Sequence, residues 1–307
     1  MAANKSKQNT GFDMSKIKAE IERKIEGNVT HESETQTLEQ IEVAPAMQKA
    51  ETSKEVDVKK YVLTGVTGFD ELFKQGIPKQ SNVIVAGGTG SGKTIFCLQT
   101  LAYHASRGKK CFYMSFEETE ERLIEHMNDF GWNPEKLINS GNLKIKKYLP
   151  TDIHYFDSAD GVEAMFSKEE DSQLIELEPI SMQLEFKVDF IVLDSLTAVA
   201  SAFKEKEQQS YRFYVEKLFN FFRGMGSTNF LITETKQIPE VFSPTGVEEF
   251  LADGVIVIYN IKRENVRERA IEILKMRGAK HQEKIVAMKI TDKGIVVYPG
   301  QEVFGGV

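Results

Sequence analysis

Gly87-Gly88-Thr89-Gly90-Ser91-Gly92-Lys93-Thr94 puts four glycines and a lysine into eight residues, and its flanks decide what fold can carry it. Before it runs Asn82-Val83-Ile84-Val85-Ala86, an apolar, β-branched run that reads as a buried strand. After it comes Ile95 to Ser106, where Ile95, Leu98, Leu101, Ala102 and Ala105 recur at helical spacing. A strand, a glycine loop and a helix in this order let successive backbone N–H groups curl around a phosphate. The helix N-terminus adds about half a positive charge. Lys93 can then reach the β- and γ-phosphates, and the Thr94 hydroxyl can ligate magnesium. The stretch predicts an α/β chain that binds a nucleoside triphosphate.

Composition narrows the class. A chain of 307 residues with 41% hydrophobic content can bury one large core beside a small accessory segment. The net charge of −7 argues against nonspecific binding to nucleic acid or anionic membrane. Cys97 and Cys111 are the two cysteines, and neither has a metal-ligand partner nearby. They read as small core hydrophobes in a reducing cytosol. Five histidines form no cluster, so magnesium is the only metal inferred. The N-terminus carries no signal-like apolar segment, and no run reaches the ~20 apolar residues of a membrane helix. These features predict a soluble, cytoplasmic protein.

Residues 1–57 are rich in Lys, Glu, Gln, Thr and Ser, with Phe12 as their one aromatic residue. Such a segment buries too little apolar surface to offset its ordering entropy, so most of it is expected to be disordered. Within 14–26, Ile17, Ile21 and Ile25 line up at i, i+4, i+8. That thin stripe suits either a docking helix for a partner or neighbouring subunit, or a solvated nascent helix. The domain is expected over 58–307. It opens with a turn and short helix at Thr64–Leu72, closed by Gly76 and Pro78. Cys111–Phe116 reads as a parallel strand next to the loop strand, and Glu120–Phe130 as a helix stopped by Gly131 and Pro134. Residues 143–149 read as a strand, and 151–186 carry no readable pattern. Phe190–Asp194 is a buried strand ending in an acid, Tyr211–Phe222 a helix and Asn229–Thr233 a short strand. From Gly254 on, four strands at 254–262, 269–277, 285–290 and 294–298 are expected to pair antiparallel beside the parallel core.

Asp194 is an acid after four apolar residues, placed as the residue that holds magnesium in loop-type nucleotidases; a helix cap is the plainer reading. Glu117 and Glu118 end a strand, and ligands of parallel sheets bind at the carboxyl ends of strands. Glu117 is expected to deprotonate an attacking water, and Glu118 to open the following helix. Lys275 and Arg277 lie two apart on one strand, on one face and roughly 7 Å apart, with His281 beyond the Gly278 turn. They suit a solvated strand face or a γ-phosphate clamp reaching a neighbouring subunit's nucleotide.

Taken together, several stretches resemble the KaiC-like branch of RecA-type ATPases. They are Gly65-Val66-Thr67-Gly68-Phe69-Asp70, the glycine loop, Ser115-Phe116-Glu117-Glu118-Thr119 and Phe130-Gly131-Trp132. Asp194-Ser195-Leu196-Thr197-Ala198, Gly246-Val247-Glu248-Glu249-Phe250, Lys275-Met276-Arg277-Gly278-Ala279-Lys280-His281 and Ile290-Thr291-Asp292-Lys293-Gly294-Ile295 continue the series. The resemblance runs in order from about residue 61 to 300. It implies a RecA-like core: a mainly parallel twisted sheet, helices on both faces and C-terminal antiparallel strands. It also implies a hexameric ring with Mg-ATP between subunits. Adjacent-subunit nucleotide contacts then fall on Lys275, Arg277 and His281, with Met276, Thr291 and Asp292 as further positions. Glu117 and Glu118 match the catalytic glutamate pair. The family's clock protein carries two such domains in tandem and this sequence shows one, so the circadian role does not transfer. Its self-phosphorylating domain has a Ser-Thr pair where this chain has Glu249-Phe250, like the domain that only hydrolyses ATP.

Three functions compete. The first is an ATPase working at a subunit interface in a regulatory or signalling role. The second is an ATP-binding scaffold or autokinase with little turnover, whose N-terminal arm engages a protein partner. The third is a DNA recombinase, which needs a basic pore loop. The segment Gln237–Asp253 has no Lys or Arg but has Glu240, Glu248, Glu249 and Asp253, so nucleic acid is a poor partner.

Overall fold

The computed structural model describes residues 56–149, 187–201, 208–236, 241–263 and 265–303. The arm expected over 1–57, with its helix at 14–26, lies outside them apart from its last two positions, and 151–186 lies wholly outside. A small antiparallel pair, β1 (Tyr61–Val62) and β2 (Ile77–Pro78), brackets a 3-10 turn at Phe69–Leu72. The loop strand β3 (Asn82–Gly87) leads into α1 (Lys93–Ala105). Then follow β4 (Cys111–Ser115), α2 (Glu120–Asp129), α3 (Pro134–Asn139) and β5 (Leu143–Lys147). After the gap come β6 (Phe190–Asp194), α4 (Leu196–Ser201), α5 (Gln208–Met225), β7 (Thr228–Glu234) and α6 (Glu248–Leu251). Two hairpins finish the chain: β8 (Gly254–Arg263), β9 (Val266–Met276), β10 (Val286–Thr291) and β11 (Gly294–Glu302).

Among the described residues, nine strands form one sheet in the order β11-β10-β9-β8-β3-β7-β6-β4-β5. Strands β8, β3, β7, β6, β4 and β5 run parallel, and β8 to β11 pair antiparallel in turn. Strand residues alternate between two cores, as a strand's period of two requires. Val83, Val85, Val192 and Ile256 face a core shared with Phe96, Leu101 and Leu123 of α1 and α2. Ile84, Ala86, Ile191 and Val257 face one shared with Val199, Val215 and Phe222 of α4 and α5. Helices therefore cover both faces. Among the described residues no helix is long and apolar enough to cross a membrane.

Three expectations need correction. The strand Cys111–Ser115 is not the neighbour of the loop strand: β6 and β7 lie between them. Apolar runs report burial, and long crossovers let strands made later slip between earlier ones. Second, the strand from Gly254 is not purely antiparallel, because β8 pairs parallel with β3 on one side and antiparallel with β9 on the other. Val255 to Ile258 are all buried, the mark of a strand covered on both faces. Third, Pro134 opens α3 from its first turn as well as ending the preceding element, since proline's missing N–H costs nothing there.

Candidate nucleotide and magnesium site

The register of the parallel strands fixes which side chains can meet. Gly87 pairs with Glu234 and Ile258, and Ser115 with Asp194, so the carboxyl ends of β3, β7, β4 and β6 lie on one sheet edge, with β8 running past it to Arg263. That edge is where an open parallel sheet binds ligands. The glycine loop sits there because its backbone needs glycine. Gly90 and Gly92 have φ of +70° and +108°, a region other residues rarely adopt. A Cβ on Gly87 would come within 2.3 Å of the Ile258 carbonyl.

Inside the loop, the Ser91 N–H donates to the Gly88 carbonyl at 3.2 Å and Lys93 Nζ donates to the same oxygen at 3.3 Å. Lys93 is buried, and Ser91 Oγ is buried with no hydrogen-bond partner among the described residues. A buried ammonium beside an orphaned hydroxyl and two left-handed glycines is a donor set with the chemistry of a phosphate cradle. These residues fit a triphosphate.

Next to the cradle, Thr94 Oγ1 donates to Asp194 Oδ2 at 3.1 Å, and Tyr113 donates its hydroxyl proton to the same oxygen at 2.5 Å. Asp194 is 3% exposed, and burial pushes its carboxyl up to about 6 against the pull of those two hydrogen bonds. Burial likewise raises the Tyr113 hydroxyl and the Cys97 thiol well above their usual ranges, so both stay protonated. Among the described residues no three His, Cys, Asp or Glu side chains gather to hold a metal alone. Thr94 and Asp194 are the two oxygen-bearing side chains here that would hold a magnesium.

Glu117 and Glu118 separate as their positions suggest. Ser195 Oγ donates to Glu117 Oε1 at 2.5 Å, which ties that carboxylate to the residue following Asp194. Glu118 turns instead to α2, where its Oε2 lies 3.3 Å from Arg122 Nε and 3.7 Å from His126 Nδ1. The Ser115 hydroxyl fixes the turn between them, accepting from the Glu118 N–H at 2.9 Å and donating to the Glu118 carbonyl at 2.6 Å.

The distal residues sit elsewhere. Lys275 Nζ donates to the carbonyls of Glu249 at 2.9 Å and Ala252 at 2.8 Å, and Arg277 Nη2 to that of Phe250 at 2.9 Å. Both cations thus cap the C-terminal end of α6, and partial burial beside Arg277 lowers the Lys275 ammonium below its usual range. The Met276 side chain points to the opposite face, into the core. His281 packs edge-on against Phe73. Thr291 donates to the Gly294 carbonyl at 2.8 Å to close the β10–β11 turn, and Asp292 is exposed at its tip. Within one chain the structure therefore brings Glu117, Asp194, Thr94 and the loop together, while Lys275, Met276, Arg277, His281 and Thr291 are engaged in contacts of their own.

Tyr113 escapes a reading by motif, and Ser195 falls inside a matching stretch without a role of its own. Each leaves a faint signal: Tyr113 is a polar tip in an apolar strand, and Ser195 is a hydroxyl directly after a strand-end acid. Ser195 Oγ also accepts the Ala198 N–H at 3.1 Å, opening α4.

Comparison with known proteins bears on this geometry. The family model described as the KaiC ATPase matches residues 62–302. The circadian clock protein KaiC3 of Synechocystis is 32% identical over 237 residues, 77% of this chain and 45% of that protein. The UPF0273 protein of Thermotoga maritima is 28% identical, covering 79% of this chain and 97% of its own length. A crystal structure of a KaiC-like protein from Pyrococcus horikoshii superposes with a TM-score of 0.62 at 29% identity, over 78% of this chain and 99% of that one. The chain thus spans a little under half the length of the clock-protein relatives it matches.

Proposed function

The chain belongs to the KaiC family of ATPases, and from that premise we propose that it binds Mg-ATP in the 87–94 loop and hydrolyses it with Glu117 as general base. One observation carries the reading: Glu117 is tied through Ser195 to the strand end that presents Asp194 to Thr94. The base, the magnesium-side acid and the phosphate loop thereby share one rigid edge. The loop N–H groups and Lys93 hold the phosphates, while Thr94 and Asp194 fix the cation side. Glu117 orients a water and takes its proton as the oxygen attacks the γ-phosphorus and the bond to the β-phosphate oxygen breaks. A magnesium held by Thr94 and Asp194 would supply positive charge against that developing on the phosphate oxygens. Glu118, engaged with Arg122 and His126, shapes the helix entry.

The proposal extends to a ring of identical subunits, a homohexamer by family resemblance, in which Lys275 and Arg277, with His281, meet the neighbour's nucleotide. Met276 offers only its backbone there. Residues 58–307 form the ATPase domain, 1–57 an arm toward a protein partner, and the site of action is the cytoplasm, in a regulatory or signalling role.

Glu117→Gln tests the base. Phosphate release by purified protein falls at least a hundredfold, roughly what general-base loss costs, while ATP affinity is kept. Unchanged release removes Glu117 from that role. The scaffold reading draws on a separate observation, that both clamp cations are held by α6 carbonyls. Measurable binding with wild-type release at background would favour it.

A further inference from the structure

Two residues from the strands beside the loop grip its backbone from outside. Asn260 on β8 and Arg269 on β9 are register partners. Because β8 runs parallel to β3 with Ile258 opposite Gly87, Asn260 reaches past the end of the loop strand. Its Nδ2 donates to the Thr89 carbonyl at 3.3 Å, and Arg269 Nε donates to the Gly90 carbonyl at 3.2 Å. A trans peptide holds the C=O of one residue and the N–H of the next on opposite sides. Holding the Thr89 carbonyl therefore turns the Gly90 N–H away from Asn260. Holding the Gly90 carbonyl turns the Ser91 N–H away from Arg269, toward the Gly88 oxygen that also receives Lys93.

We propose that Asn260 and Arg269 are positioning residues for the phosphate loop, fixing two consecutive peptides so that the Gly90 N–H is left for the β-phosphate while the Ser91 N–H closes the turn onto the Gly88 carbonyl. The inference rests on the nucleotide-binding reading and adds to it the parts that preorganise the cradle. Asn260 itself argues for function over stability. It is 5% exposed and its Oδ1 has no partner among the described residues. A buried amide with half its capacity unmet destabilises the fold, and an apolar residue of its shape would relieve that cost.

The test is calorimetric titration with Mg-ADP, alongside thermal melting without nucleotide. Asn260→Leu is expected to weaken Mg-ADP binding tenfold or more while melting at or above the wild-type temperature, a split that a merely structural role cannot produce. Arg269→Gln keeps a donor without the charge and is expected to bind within about threefold of wild type, whereas Arg269→Leu loses affinity clearly. Wild-type affinity in Asn260→Leu, or a loss matched by a lowered melting temperature, overturns the proposal. Equal losses in Arg269→Gln and Arg269→Leu overturn the carbonyl grip for Arg269. A wild-type protein that takes up no Mg-ADP sinks the nucleotide reading itself.

Discussion

Gly87 shows how little room the loop leaves. A methyl group there would lie 2.3 Å from the Ile258 carbonyl and 2.7 Å from Ser91 Oγ. The hydroxyl can rotate away, but the carbonyl belongs to β8 and moves only if β3 and β8 part. Gly87→Ala is therefore expected to cost about 2 kcal/mol or more, as overpacking against backbone does. Urea unfolding reads the loss, and nucleotide affinity falls with it. Gly90 and Gly92 are constrained differently, by left-handed φ of +70° and +108°. The glycines of this loop are thus not equivalent, although a motif treats them alike.

His104, near the end of α1, shows what an element adds to a residue. Its ring stacks on Phe190 of β6 with centroids 3.7 Å apart, and Nε2 meets the Leu63 carbonyl at 2.8 Å. Burial lowers its titration from 6.5 to about 4, against the opposing help of that carbonyl. The unfolded chain binds a proton below about 6.5 and the folded one refuses it until about 4. Stability is complete above that window and falls as the pH drops through it. Between pH 7 and 5 the loss is about 2 kcal/mol. Denaturant unfolding of His104→Gln is expected to show a shallower decline over the same range than wild type, whatever its absolute stability. A parallel decline would remove His104 as the cause.

At this scale the limits of the sequence also become physical. The loop strand, α1, β4, β6 and β7 are legible because their periodicity reports burial, and Glu117 and Asp194 because strand ends of parallel sheets gather ligands. Strand order is not legible, since β4 looks the same whether its neighbour is β3 or β6. Short α6 offers no periodicity to read, and Lys275 and Arg277 cannot announce that its carbonyls will take them. Tyr113 and Ser195 are single hydroxyls, and only the cross-strand pairing of Ser115 with Asp194 puts them within reach.

For the whole molecule the question is whether one chain holds a complete site. Glu117 and the loop lie on one sheet edge, while Lys275 and Arg277 face α6. The proposed ring joins them head to tail, a heterologous contact in which each chain lends cations to the next. Arg277→Ala and Glu117→Gln should each abolish turnover alone. Mixed and reassembled in equal amounts, they should recover about a quarter of wild-type activity, the fraction of sites with an intact base and an intact neighbouring cation. Phosphate release measured before and after mixing checks this. No recovery, with mixed rings verified by mass, places the cations outside the catalytic unit.

The hairpin that closes the chain has a further consequence. Gln99 of α1 exchanges two hydrogen bonds with Ile295 of β11, 196 positions away, and the side chains of Ile290 and Ile295 back Gly92. Synthesis delivers the loop first and its backing last. At roughly 5–20 residues per second, translation leaves the loop unbraced for roughly 10 to 40 seconds. A ribosome-bound chain stalled before Met288 carries the whole phosphate motif yet lacks the Met288, Ile290 and Ile295 side chains that back Gly92.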